Sequence, residues 1–174
     1  MTSPDIELIQ KELSAIGISA EPFSAQKLKE QFTQLVRETS NPEGKIKLIR
    51  GFLQLSIMID PDSIEGFLGI RIVEKKGDGT NQQDCFTYLF GPDADAQQIT
   101  DSMVSTHEIS QEPVPGSYVL YLNHDLNPKH IGNVTSKRTV ISKWGLNGHV
   151  YEHPPILIPL SYGSHIAYFT PPKT

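Results

Sequence analysis

The stretch that decides the fold is NQQDCFTYLFG, residues 81–91, because it places the only cysteine of the chain where a loop becomes a helix. Asp84 is a favoured N-cap residue, so Cys85 is expected to be the first residue of a short helix. The apolar residues that follow recur at helical spacing until a glycine and a proline end the segment. The sequence therefore predicts a cysteine at a helix N-terminus.

Two interpretations of Cys85 follow from this position. Unpaired backbone N–H groups and the positive end of the helix dipole stabilise a thiolate, which is the nucleophilic form of cysteine. A lone cysteine is also often a small buried apolar residue. The segment alone leaves both interpretations open.

The composition limits the classes of function. The chain has 174 residues, enough for one domain with a substantial core or for a small domain with a helical extension. Its 15 Lys and Arg against 20 Asp and Glu give a formal net charge of -5 without a basic cluster, so no nucleic-acid partner is expected. A single cysteine excludes an internal disulfide. No apolar stretch approaches the roughly twenty residues of a membrane-spanning helix.

The N-terminus lacks the basic and then apolar pattern of a signal peptide. We therefore expect a cytoplasmic protein, with export by a non-classical route left open. Zinc binding by Cys85, His130, His149 and His153 is disfavoured. His149 and His153 have the spacing of ligands on a helix, but the residues between and after them do not indicate one. No metal and no cofactor are expected.

The first part of the chain has the periodicity of helices. One helix is predicted from Ser3 to Gly17, a second opens at Ser24, and a third covers residues 46–58. The end of the third, residues 55–59, also suits the start of a strand. Residues 70–73 are expected to be extended, residues 75–79 to form an exposed loop, and residues 94–103 to form a further short helix. We predict that residues 1–75 form a helical N-terminal extension.

From Val114 onward the pattern changes to short strands separated by Gly, Pro and Asn. Strands are predicted at residues 117–122, 130–134, 139–142, 149–151 and 165–169. Helices followed by a small antiparallel sheet indicate an α+β fold.

His130 is the best placed of the six histidines, because it follows a polar turn and starts a predicted strand. A rigid strand can hold an imidazole within hydrogen-bond reach of the Cys85 sulfur. A third polar group normally orients such an imidazole. Ser142 on the next strand is one candidate, and Glu152 or His153 is another.

These residues resemble a known family. Asp84-Cys85 at the start of an aromatic helix, Pro115-Gly116-Ser117 before a strand, and His130-Ile131-Gly132 before a hairpin are similar to the core of NlpC-type cysteine peptidases of the papain-like superfamily. The resemblance covers roughly the last ninety residues. It implies that residues 76–174 form a papain-like domain, in which a cysteine-bearing helix packs on a small antiparallel sheet. It also implies that Cys85 is the nucleophile, His130 the base and Ser142 the orienting residue.

The chain departs from the family pattern around the site. Phe86 and Thr87 replace the small Ser-Gly pair that usually follows the cysteine, and Ser142 stands where His, Asn or Gln is usual. We therefore expect a differently shaped pocket with Phe86 and Trp144 along a substrate groove, although core burial is the more frequent role of tryptophan. Gln83 is a candidate second oxyanion donor beside the Cys85 backbone. Residues 142–163 are expected to close over the site.

The sequence thus predicts a thiol hydrolase that acts on an amide, peptide or related acyl bond of a peptide or protein substrate. The same machinery serves deamidation and acyl transfer. The alternatives are a non-catalytic interaction module on the same fold, or a toxin or effector with deamidase or transglutaminase-type activity. The oligomeric state is left open.

Overall fold

The computed structural model describes residues 25–75, 83–146 and 148–172, with side chains described from residue 29 onward. The helix predicted for residues 3–17 lies outside these ranges, as does most of the exposed loop expected after residue 75.

The described part of the chain begins with two long helices, α1 at Ala25–Glu38 and α2 at Pro42–Ile59. Asn41 caps α2 by accepting a hydrogen bond from the Glu43 amide at 3.0 Å, and the proline that follows it suits the first turn of a helix. Residues 55–59 are helical, which decides against the strand that they also suited. The chain leaves the helix just before a second proline, which cannot continue it.

Two shorter helices follow, α3 at Cys85–Phe90 and α4 at Ala96–Thr106. Asp95 caps α4 through a hydrogen bond from the Gln98 amide at 2.8 Å. α3 confirms the predicted cysteine helix, and α4 confirms the helix expected after it.

Within the described ranges, seven strands form one sheet in which every neighbouring pair is antiparallel. The strand order across the sheet is β1-β6-β5-β4-β3-β7-β2. The fold is therefore α+β, as predicted. The strands are β1 Arg71–Glu74, β2 Glu108–Ser110, β3 Tyr118–Leu122, β4 Pro128–Ser136, β5 Thr139–Lys143, β6 Val150–His153 and β7 His165–Thr170.

The sequence did not predict β2, because three residues carry no measurable alternation. This strand is held at the edge of the sheet by pairing with β7. The other strands correspond to predicted ones within a few residues, and β1 coincides with a stretch expected to be extended.

The two faces of the sheet carry separate cores. Val119 and Tyr121 of β3 belong to one buried cluster, whereas Leu120 between them belongs to the other. Successive side chains of a strand point to opposite faces, so the clusters lie on opposite sides of the sheet. α1 and α2 contribute to the first cluster, and α3 and α4 contribute to the second.

The division at residue 75 stays a prediction, but the structure adds two facts to it. Residues 71–74 are strand β1, which pairs with β6 and lies at one edge of the sheet. Phe32 of α1 and Phe52 of α2 share a core with residues of β3, β4 and β5. The region before residue 75 thus contributes a strand as well as helices, and its described part packs directly on the sheet.

Replacing Phe52 by alanine should therefore destabilise the protein strongly. The Phe52 ring is buried between Phe32 and Phe67, with centroid distances of 5.3 and 4.8 Å. Loss of such a ring costs about 3–5 kcal/mol. Denaturant unfolding measures the change, with the exposed Val104→Ala of α4 as the control, for which about 0.5 kcal/mol or less is expected. Equal effects of the two substitutions would show that Phe52 is not a core residue.

Candidate active site

The cysteine helix begins as the sequence predicts. The Asp84 carboxylate accepts hydrogen bonds from the Thr87 amide at 2.8 Å and from Thr87 Oγ1 at 2.9 Å. These bonds fix Cys85 as the first residue of α3. α3 contacts β4 and β5, so its cysteine end lies against the middle of the sheet.

Burial determines the charge of Cys85. The residue is 7% exposed, and burial raises the pKa of its thiol to about 11. This pKa is lowered by hydrogen bonds from the backbone of Ile131, Cys85 and Phe86, and it is raised by the charge of Asp84. The helix start therefore favours the thiolate, but desolvation outweighs it. The thiol is protonated at neutral pH.

His130 is 1% exposed and lies on β4. Its Nε2 is 2.9 Å from Ser142 Oγ, whereas its Nδ1 has no hydrogen-bond partner among the residues described. Burial lowers the pKa of the imidazole well below its usual value, and the charge of His153 would lower it further. The ring is therefore neutral and presents one unpaired nitrogen.

Ser142 is the centre of a buried hydrogen-bond network. Besides the imidazole of His130, its Oγ contacts His153 Nε2 at 2.8 Å and accepts a hydrogen bond from Trp144 Nε1 at 2.9 Å. On its other side, His153 Nδ1 lies 2.9 Å from the Pro154 carbonyl oxygen. The network thus brings together Ser142 and His153, two of the candidates predicted to orient the imidazole.

Gly132 makes this approach of β4 and β5 feasible. A Cβ at this position would lie 2.8 Å from Ser142 Cβ and 2.7 Å from Val140 Cγ1, too close for any side chain. Gly132 is two residues from His130 on the same strand, so both face the same side. The absence of a side chain lets the Ser142 hydroxyl reach the imidazole.

Cys85 belongs to the cluster on one face of the sheet, and its thiol is hydrogen-bonded to the backbone of Ile131, the residue after His130. Cys85 packs with Leu120 and Ile131, while His130 is paired across the strands with Tyr121 of the opposite cluster. The β4–β5 ladder begins only at Asn133, beyond these residues. The sulfur therefore meets the Ile131 backbone at a point where β4 is not paired with β5, and it makes no hydrogen bond with His130 Nδ1.

Tyr162 covers the imidazole. Its ring stacks on His130 with a centroid distance of 4.0 Å and an interplanar angle of 8°. Burial raises the pKa of its hydroxyl, and the charge of an ionised Cys85 would raise it further, so the hydroxyl lies in the electrostatic range of the sulfur. Tyr162 belongs to residues 142–163, which were expected to close over the site, and it covers the imidazole.

Arg50 and Gln54 of α2 hold the covering segment, residues 158–163. The Arg50 guanidinium donates to the carbonyl oxygens of Ile158 at 3.2 Å and Pro159 at 3.4 Å, and also to that of Gly163. Gln54 Oε1 accepts hydrogen bonds from the amide and hydroxyl of Ser161, at 3.2 and 2.6 Å. No site role was predicted for Arg50, although an arginine within an apolar stretch of helix was a signal for one.

The remaining predicted site residues lie elsewhere. Glu152 faces away from the network and forms an ion pair with Arg71 of β1. Phe86 and Trp144 are buried, at 3% and 1% exposure, so they are core residues rather than walls of an exposed groove. Gln83 is partly buried two residues before Cys85, and its role as an oxyanion donor stays a prediction.

The other histidines take no part in the network. His149 contacts Asp62 at 2.8 Å, and His124 and His165 are exposed. Within the described ranges, no group of three or more His, Cys, Asp or Glu side chains is arranged to hold a metal ion.

Comparisons with known protein families, with curated proteins and with solved structures found no match for this chain. The resemblance to NlpC-type peptidases and the residue roles that it implies stay predictions. In the part of the chain that the structure describes, no helix has the length and apolar character needed to cross a membrane.

The raised pKa of Cys85 predicts a specific loss of stability in alkali. A thiol with a pKa of 9.0 in the unfolded chain and about 11 in the folded protein stabilises the fold fully below pH 9. This contribution is lost as the pH rises from 9 to about 11. The difference in unfolding free energy between wild type and Cys85→Ala should shrink by about 2 kcal/mol across this window. Tyrosine ionisation is common to both proteins, so a constant difference would mean that the sulfur is hydrated.

Releasing the covering segment should make the thiol more accessible, because the Tyr162 hydroxyl of this segment lies in the electrostatic range of the sulfur. Arg50→Met removes hydrogen bonds from a charged donor, each of which contributes about 1.5–3 kcal/mol. Iodoacetamide labelling of Cys85 at one mildly alkaline pH should accelerate by roughly tenfold to a hundredfold. Lys47→Met, at an exposed position of the same helix, is the matched control and should label at the wild-type rate. Equal labelling of both variants would show that the segment does not limit access.

Proposed function

We propose that this protein is a cysteine-dependent hydrolase that acts on an amide, peptide or related acyl bond. The observation that carries the proposal is the unpartnered Nδ1 of His130. It is the one buried side-chain nitrogen or oxygen of the described residues without a hydrogen-bond partner, and it belongs to the residue before Ile131, whose backbone hydrogen-bonds the Cys85 thiol. A buried polar atom left unpaired is costly, so its presence at a site calls for a functional explanation.

In the proposed reaction, Cys85 Sγ attacks the carbonyl carbon and its proton passes to His130 Nδ1. The electron pair of the carbonyl moves to oxygen, which the backbone N–H groups at the start of α3 stabilise. The intermediate collapses to a thioester, and the leaving group takes the proton from His130. A water molecule, deprotonated by His130, then hydrolyses the thioester and restores the thiol.

The neutral state of both groups suits this order of events. A thiol with a pKa near 11 is a weak nucleophile alone and needs a base within reach during attack. The His130 imidazole is unprotonated at neutral pH, because burial disfavours its charged form. Its lone pair is therefore free, but the lowered pKa makes the imidazole a weak base, so transfer of the thiol proton requires the charge stabilisation that a bound substrate and the start of α3 supply.

A second candidate is a non-catalytic interaction module on the same fold. The high pKa of Cys85, its burial, and the lack of a hydrogen bond to His130 favour it. The two candidates differ in whether the thiol reacts faster than an ordinary thiol once Tyr162 is displaced.

The hydrolase proposal is tested with a panel of fluorogenic peptide amides, esters and thioesters, in the wild-type and Arg50→Met backgrounds. Cys85→Ala should abolish turnover, since no other residue supplies the nucleophile. His130→Gln should lower it by about 10²–10⁴-fold, the usual contribution of a general base. His124→Ala is the matched control, because that imidazole is exposed, and it should retain full turnover.

Turnover that survives Cys85→Ala would reject the proposal. Absence of turnover in both backgrounds, together with iodoacetamide labelling of Arg50→Met no faster than that of a small-molecule thiol, would establish the interaction module instead.

A further inference from the structure

We propose that His153, acting through Ser142, fixes the tautomer of His130 and thereby keeps Nδ1 unprotonated and available to Cys85. His153 is then a positioning residue for the proposed hydrolase, on whose reaction its functional importance rests. The inference follows from the donors and acceptors along one buried row of atoms, from the Pro154 carbonyl to His130 Nδ1.

The row begins at a carbonyl group, which can accept hydrogen bonds but cannot donate them. The Pro154 carbonyl oxygen lies 2.9 Å from His153 Nδ1, so this nitrogen carries a proton and donates it. Tyr121 helps to fix the turn after β6, because its hydroxyl donates to the next carbonyl, that of Pro155, at 2.8 Å. Burial lowers the pKa of His153 to about 4, so the ring is neutral and its Nε2 bears a lone pair.

Ser142 can then donate in one direction only. Its Oγ is 2.8 Å from the lone pair of His153 Nε2, a distance that requires the single hydroxyl proton to lie between them. Trp144 Nε1 is always a donor and occupies one lone pair of the same oxygen. The remaining lone pair faces His130 Nε2 at 2.9 Å and needs a proton from it.

His130 therefore carries its proton on Nε2. A neutral imidazole has one N–H, so Nδ1 is bare, which agrees with its lack of a hydrogen-bond partner. The reverse tautomer would bury an unpaired N–H and set two lone pairs against each other at Ser142. Each of these costs about 1–3 kcal/mol, so the network strongly favours one arrangement.

The arrangement predicts a tautomer that NMR observes directly. In protein labelled with ¹⁵N-histidine, long-range ¹H–¹⁵N correlations distinguish protonated from bare ring nitrogens, and His130→Gln and His153→Gln assign the signals. At neutral pH the wild-type protein should show a bare Nδ1 and a protonated Nε2 for His130. His153 should show the opposite pattern.

Two substitutions at position 153 separate hydrogen bonding from packing. His153→Gln keeps an acceptor for the Ser142 hydroxyl and should leave the His130 tautomer unchanged. His153→Met keeps most of the volume but supplies no comparable acceptor, so Ser142 is free to turn toward His130, and both tautomers should appear. Ser142→Ala removes the link with a smaller side chain and should have the same effect.

The labelling rate of Cys85 in the Arg50→Met background gives a second readout. His153→Met should lower this rate, whereas His153→Gln should leave it unchanged. A protonated Nδ1 on His130 in the wild-type protein would overturn the proposal. So would an unchanged tautomer in both His153→Met and Ser142→Ala. The NMR result does not depend on substrate, so it stands or falls separately from the hydrolase proposal.

Discussion

The candidate site depends on the hydrogen bonds of the Ser142 hydroxyl. Three ring nitrogens, from His130, His153 and Trp144, converge on one oxygen at 2.8 to 2.9 Å. A serine that touched only His130 would orient it loosely, since a hydroxyl rotates to suit its neighbours. Here the Trp144 indole donates to the oxygen and the His153 imidazole accepts its proton in a hydrogen bond, so the hydroxyl can only accept a hydrogen bond from His130. The network is satisfied at every atom except His130 Nδ1, where the proposed reaction needs a lone pair.

The same burial that orders this network suppresses charge throughout it. Desolvation raises the pKa of Cys85 and lowers those of His130 and His153, so the three groups are neutral together at pH 7. An ion pair between thiolate and imidazolium is therefore not the resting state. Proton transfer from sulfur to nitrogen would create two charges in a poorly solvated place, and groups supplied by the substrate or by the start of α3 have to stabilise them.

Much of this arrangement could be predicted from the sequence, and the reasons differ for each part. Asp84 and Cys85 were predictable because capping is local, and the strands of His130 and Ser142 because turns and alternation delimit them. The helix N-terminus favoured a thiolate as one of two interpretations, whereas burial, which is a tertiary property, raises the thiol pKa. Phe86 and Trp144 were expected along a groove and are core residues. Arg50 stood out as a charge within an apolar stretch of helix, but the segment that it holds was not predictable, since the two lie more than one hundred positions apart.

The hydrogen bonds between α2 and residues 158–163 affect which substrates the site would accept. Arg50 binds main-chain carbonyls, and Gly163 admits no side chain, because a Cβ there would lie 2.2 Å from the Leu122 oxygen. The segment is therefore held through its own main-chain atoms, and its shape depends on a glycine that has no side chain. If Cys85 is the nucleophile, a substrate has to displace Tyr162 against these bonds, which requires binding energy from groups remote from the reacting carbonyl. A small amide lacks such groups, whereas a peptide segment that replaces the Tyr162 ring on His130 supplies them.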